Sequence, residues 1–319
     1  METRRLGKSG LKVSEIALGS WLTLGSAVDA AATQQLVQAA YDMGINFFDT
    51  ADVYANGSAE EALGRALRAL PRPYVVIATK CYFPMSAHPN DRGLSRKHIM
   101  ESIEGSLRRL GTDYVDLHQC HREDPETPIE ETVRAYEDAI RQGKVLYWGV
   151  SEWSAEAITE ACRVADATGG FRPISNQPNY SIMRRGIETD VLPTSRREGL
   201  GQIVFSPLGQ GVLTGKYAGG ARPSGSRALD ESRNLWMNSY LKEESLAKVE
   251  RLKPLADSLG ISMAQLALAW CLSHPGVDSA IIGVTKPHQL EDNCKASGRK
   301  LPTDVLSEID AIFPAKNNA

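Results

Sequence analysis

Two hydrophobic rhythms alternate along the chain. Short apolar runs, rich in β-branched and aromatic residues, occur at 16–18, 45–48, 74–78, 114–117, 145–150, 173–176, 202–205 and 279–282. Each is too short for an independent helix and has the length of a buried strand. Between most of them lies a stretch of helical period. In 95–109, Ile99, Ile103 and Leu107 recur every four residues behind Ser95, whose hydroxyl can cap the first turn, so one stripe is buried. Thr127-Pro128-Ile129-Glu130 predicts a second start, with Thr127 as N-cap, a first-turn proline and Glu130 completing a capping box, and Gly143 ends that helix. Ser262-Met263-Ala264-Gln265 reads the same way. Strands that alternate with helices form a parallel sheet, because parallel neighbours need a long crossover, and eight such units predict closure into a (β/α)8 TIM barrel.

An open doubly wound sheet is the competing fold, but it calls for G-x-G-x-x-G after the first strand. Gly19-Ser20-Trp21-Leu22 does not supply it. In Gly209-Gln210-Gly211-Val212-Leu213-Thr214-Gly215 the third glycine falls one residue late, so this stretch is read as a flexible loop. Two departures from simple alternation stand out. Residues 1–18 carry Gly7-Lys8-Ser9-Gly10 between short apolar stretches, which predicts a β-hairpin ahead of the first barrel strand, placed to plug the barrel's bottom. Residues 206–244 hold glycines 209, 211, 215, 219, 220 and 225 with Pro207 and Pro223 before helical period resumes. Long glycine-bearing connections are commonly binding loops, so this one is a candidate clamp over a ligand, with a plain surface insertion as the alternative. With no linker and no longer repeat, residues 1–319 read as one domain.

Composition narrows the partners. The 36 Lys and Arg against 39 Asp and Glu give a net charge of −3, without the basic footprint that nucleic-acid binding requires. No run approaches the roughly 18 apolar residues of a membrane span, and no apolar signal core follows Met1-Glu2-Thr3-Arg4-Arg5, so a cytoplasmic location off the membrane is expected. The five cysteines are scattered and form no C-x-x-C, which fits a reducing compartment and signals neither a disulfide framework nor a zinc ribbon.

In a TIM barrel the chemistry gathers at the C-terminal ends of the strands. Asp49, Lys80, His121, Ser151, Gln177 and Ser206 all fall there, distant in sequence yet converging on one rim. A lysine beside Asp49 and Tyr54 would favour the phenolate and lower the tyrosine's pKa, and His121 could bond the same hydroxyl. Such donors suit reduction of a carbonyl, with Tyr54 protonating the developing alkoxide. Each residue alone also has a structural reading: Lys80 as an ion-pair partner, His121 as a satisfied loop histidine, Tyr54 as core. A metal reading of His118 and His121 lacks further ligands and splits the two across the strand. A Schiff-base reading of Lys80 conflicts with neighbours that keep the amine charged.

Several motifs, in order along nearly the whole chain, resemble the aldo-keto reductases. They are Leu6-Gly7-Lys8-Ser9-Gly10-Leu11, Phe48-Asp49-Thr50-Ala51-Asp52-Val53-Tyr54, Asp113-Tyr114-Val115-Asp116-Leu117-His118, Trp148-Gly149-Val150-Ser151 and Ser206-Pro207-Leu208-Gly209-Gln210-Gly211. The resemblance implies reduction of aldehydes and ketones with NADPH by a tetrad of Asp49, Tyr54, Lys80 and His121. It implies that Ser151 and Gln177 hold the carboxamide of the nicotinamide and that Phe205 stacks on its ring, with Trp21, Ser206, Leu208 and Gly209 nearby. The clamping loop would bring Lys216 and Arg227, and Thr285, Lys286, Gln289, Asp292 and Asn293 would form the adenine end. Cations there would favour NADPH over NADH through its extra phosphate. Gly93-Leu94-Ser95-Arg96-Lys97-His98-Ile99 and Ala269-Trp270-Cys271-Leu272 are most similar to the branch holding the beta subunits of voltage-gated potassium channels, which bind NADPH and assemble as tetramers. By that resemblance the chain is a homo-oligomer or a monomer. Channel-serving members carry Asn where His121 stands, which favours an enzyme over a regulatory subunit. Glu152 departs from the family's pattern, and Trp21 and Tyr82 are expected to line the substrate side.

Overall fold

The computed structural model describes residues 1–230, 234 and 236–315. The chain begins with a hairpin, β1 (Thr3–Arg5) and β2 (Lys12–Ser14), paired antiparallel with Arg4 opposite Val13. Its turn includes Gly7 at φ +56, where a side chain would run into backbone atoms of Gly199, Leu200 and Gly201, so only glycine fits this approach. Gly7 N donates to Asp278 Oδ2 at 2.8 Å and Arg4 Nη1 to Val277 O at 2.8 Å, which ties the hairpin to the barrel's lower rim.

The barrel strands are β3 (Ile16–Gly19), β4 (Phe47–Asp49), β5 (Val76–Cys81), β6 (Val115–Cys120), β7 (Val145–Ser151), β8 (Ser175–Gln177), β9 (Gly201–Val204) and β10 (Val277–Ile282). Every barrel pairing is parallel, and β10 closes on β3. The helices α1 (Ala30–Asp42), α2 (Ser58–Leu67), α3 (Arg96–Leu110), α4 (Ile129–Arg141), α5 (Ala155–Thr168) and α6 (Val191–Glu198) connect β3 through β9 in turn. After β9 come three short 3-10 turns and then α7 (Glu243–Glu250), α8 (Lys253–Ser258) and α9 (Met263–Ser273); α10 (Pro287–Cys294) and α11 (Thr303–Ile312) follow β10. The expected (β/α)8 barrel with a leading hairpin is what forms.

Two apolar layers result from strand alternation. Ala17, Phe47, Val76, Ala78, Leu117, Ile203 and Ile281 fill the barrel interior, and Leu6 and Val13 of the hairpin seal it from below. The larger layer, between strands and helices, holds the stripe of Ile99, Ile103 and Leu107. Ser95 and Ser262 cap α3 and α9 through their side chains as expected. Thr127 does not cap α4: the helix begins one residue later behind Pro128, while the Thr127 hydroxyl donates to Asp124 Oδ2 at 2.8 Å. Glu130 makes no capping box and pairs instead with Arg134 one turn on. The stretch expected to be a loose loop after β9 is wound into 3-10 turns at Gly209–Thr214, Ala218–Gly220 and Arg227–Leu229.

Candidate active site

Lys80 and Asp49 meet because β4 and β5 pair in parallel, with Asp49 opposite Ala78 and both polar side chains on the inward face. Lys80 stands inside β5 rather than beyond it, and its Nζ donates to Asp49 Oδ2 at 2.7 Å and to Thr50 O at 2.7 Å. The same ammonium lies 3.3 Å from the Tyr54 hydroxyl, and His121 Nε2 lies 3.4 Å from that oxygen. Gln177 Nε2 donates to the other oxygen of Asp49 at 2.9 Å, and Ser151 Oγ donates to Gln177 O at 2.7 Å. One network thus links five strand ends.

Burial sets the protonation states. Burial raises the Tyr54 pKa, Asp49 adds to that, and Lys80 opposes it without prevailing, so the phenol holds its proton more firmly than a tyrosine in water. This reverses the lowered pKa expected from the lysine alone: the cost of stranding a phenolate away from water exceeds the attraction of an ammonium already shared with a carboxylate. Burial works against the Lys80 charge, but Asp49 and Tyr54 outweigh it and its pKa is raised. His121 is pushed well below the usual histidine range by burial, then by Lys80 and Arg122, which keeps it neutral.

Apart from Lys80, which is fully buried beneath them, these residues form the floor of a cavity of about 1340 Å³. Trp21, Ser151, Gln177, Phe205, Ser206, Leu208, Lys216, Arg227, Thr285, Gln289, Asp292 and Asn293 all line it, together with Asp49, Tyr54 and His121. Three of the expected residues lie outside this lining. Gly209 lies under the wall, close to Met183, Leu213 and Tyr240. Lys286 is exposed and its side chain is not in the lining; its backbone N–H donates to Gln289 Oε1 and its carbonyl accepts from Gln289 N. Tyr82 packs against the core and holds Phe83 edge-on, so Phe83, not Tyr82, faces the cavity. Asp292 has a second duty, accepting from Ser262 Oγ and Gln265 Nε2 to join α10 to α9. Glu152 reaches the lining at φ +56, with Oε1 accepting from Asn179 N.

The wall is unusual in its backbone. Leu22, Ala55, Glu152, Ser206 and Gln210 all line it and are five of the six non-glycine residues at positive φ among the described residues. Such conformations cost about 1–3 kcal/mol each and collect where a binding wall needs them. Lys216 and Arg227 add positive charge to the wall: the Lys216 pKa is lowered by burial and by Arg227, Arg227 Nη1 donates to Gln210 Oε1, and Lys216 makes no ion pair among the described residues. Two neighbouring cations on a cavity wall suit an anion such as phosphate. Sequence reading missed two features beside the tetrad. Arg122, next to His121, also lines the cavity. Behind Tyr54, Asp52 and Glu60 are fully buried near Arg109, with Ser102 Oγ donating to Asp52 and Thr79 Oγ1 to Glu60.

A closed parallel barrel with this floor belongs to a known class. The sequence profile of the aldo/keto reductase family matches residues 15–313, and the chain belongs to that family. Within it, a protein of Oryza sativa subsp. japonica and one of Arabidopsis thaliana, both described as a probable voltage-gated potassium channel subunit beta, are each 48% identical over 322 residues, spanning 99% of this chain and 98% of theirs. The motif-based resemblance is borne out at both levels.

Proposed function

We propose that the protein reduces aldehydes or ketones to alcohols with NADPH. The observation that carries this reading is the Tyr54 hydroxyl, placed between the Lys80 ammonium and the His121 imidazole on the floor of a large cavity. The lining suits the cofactor: Ser151, Asn179 and Gln177 offer amide and hydroxyl groups beside Phe205, and Lys216 and Arg227 offer paired positive charge. Bound there, the nicotinamide would supply hydride to the carbonyl carbon.

The chain's own residues then manage the proton. Tyr54, protonated through the neutral range, donates its proton to the developing alkoxide. The phenolate left behind is held by Lys80, whose charge Asp49 maintains, and a neutral His121 is free to bond the substrate oxygen. The proton is restored from solvent through the cavity mouth. Ser206, Leu208 and the turns after β9 form the clamp in this reading.

A second reading joins the relatives' names to the family resemblance: a cofactor-binding, tetrameric subunit of a potassium channel that turns over little. His121 argues for turnover. Mixing the pure protein with NADPH and a panel of reactive aldehydes, with Tyr54→Phe alongside, tests the choice. Aldehyde-dependent NADPH oxidation that the variant loses supports the reductase; NADPH binding without turnover, with a stable channel-subunit complex, supports the second. Among the described residues no single helix is long and apolar enough to cross a membrane, and we propose the cytoplasm as the site of action.

A further inference from the structure

Arg122 occupies a place that neither the tetrad nor the cofactor contacts use. It follows His121 directly, lines the cavity, and is half-buried. Its guanidinium sits 5.4 Å from the centre of the Phe83 ring, and Phe83 in turn meets the His121 ring edge-on at 4.9 Å, while His121 meets Tyr54 at 5.5 Å. The positive charge is therefore fixed on an aromatic ladder that leads to the proton donor. One guanidinium nitrogen, Nη1, donates to His121 O. Arginine has five N–H donors, and among the described residues Arg122 has no other hydrogen bond and no ion pair. Four carboxylates line the cavity, Asp49, Glu152, Asp230 and Asp292; Asp49 is held by Lys80, Glu152 by Asn179 N, and Asp292 by Ser262 and Gln265. None of these is paired with Arg122.

We infer that the site prefers carbonyl substrates bearing a carboxylate, which Arg122 binds through its remaining donors while the carbonyl oxygen meets Tyr54. The inference rests on the reductase reading and gives its substrate class. A guanidinium fork matches a carboxylate in shape, and one already held in place by a ring and a backbone carbonyl loses little freedom on binding. Phe83 and Trp21 supply apolar wall for the body of such a substrate.

The test compares para-carboxybenzaldehyde with its neutral isostere para-carbamoylbenzaldehyde. Wild type is expected to show kcat/KM about tenfold or more higher for the acid, mostly through KM, as for a charge-assisted hydrogen bond. The preference should shrink as ionic strength rises. Arg122→Met is expected to bring the ratio of the two substrates close to one, and Arg122→Lys to retain part of it. Binding is read without turnover by titrating para-carboxybenzyl alcohol against tryptophan fluorescence, where Arg122→Met weakens binding by the same factor. Equal use of both aldehydes by wild type, or an unchanged ratio in Arg122→Met, overturns the inference and leaves the reductase standing. Oxidation of NADPH by neither aldehyde nor any other in the panel overturns both.

Discussion

Lys80 Nζ and Asp49 Oδ2 lie 2.7 Å apart, and both side chains are almost wholly withdrawn from water. Neither charge can be removed alone without leaving the other stranded. Lys80→Met is expected to lower stability by about 3–5 kcal/mol, because a buried carboxylate loses its counter-charge. Urea unfolding measures this; a loss no larger than that of an exposed lysine would show that the pair is not what holds this floor.

Tyr54→Phe is expected to lower kcat by a factor of about 10²–10⁴, the share of a positioned general acid, while NADPH affinity stays in place. Tyr54 loses its proton only above the ordinary 10.0, and His121 gains one only well below the ordinary 6.5. The rate should then show no limb from either group between pH 6.5 and pH 10.0. A clear titration of kcat inside that window, absent from the His121→Asn variant, would contradict the protonation states derived from burial.

Arg227→Ala is expected to weaken NADPH binding more than NADH binding, by about tenfold in the ratio, since a phosphate contact is lost only for the first. Fluorescence titration with each cofactor gives the answer. Equal losses would remove Arg227 from phosphate recognition.

Asp52 gives a stability test away from the chemistry. Burial and then Glu60 raise its pKa from 3.8 to about 7, while Ser102, the Val53 N–H and Arg109 pull the other way. Between those values the folded state binds the proton that the unfolded chain releases, so this group's contribution to stability falls as pH rises toward 7. Asp52→Asn removes the deficit. Its stability relative to wild type should therefore climb from about pH 5 to about pH 8 by on the order of 3 kcal/mol. Thermal or urea unfolding at the two pH values decides; a constant difference would mean Asp52 titrates as an ordinary carboxylate.

Gly149→Ala tests packing beneath the same rim. A Cβ there would stand against the Ser175 hydroxyl and 2.9 Å from Ser175 O on the paired strand. Overpacking of this kind costs about 1–3 kcal/mol, seen as a lower Tm.

Much of this was legible in the chain because barrel strands are buried on both faces and read as apolar runs. The eight runs and the hairpin appear where expected, with ends shifted by a few residues. The shifts arise where inward polar side chains continue a strand: Lys80 and Gln119 belong to paired strands because the ladder, not hydrophobicity, defines them. Convergence of Asp49, Tyr54, Lys80 and His121 followed from the rule that strand ends share a rim. What stayed hidden depends on direction and depth. The exposed Lys286, the core-packed Tyr82, the cavity-facing Phe83 and the free donors of Arg122 turn on loop conformation, which residue type alone does not encode. The sign of the Tyr54 shift depends on how completely water is excluded. Thr127 was a good capping residue by type, yet Asp124 was nearer.

Leu6 and Val13 close the barrel's lower end, and the interior above them is packed solid. The barrel is therefore a cul-de-sac. Nothing passes through it from below, so in the proposed reductase reading NADPH and the carbonyl substrate would both come and go on the side of the rim.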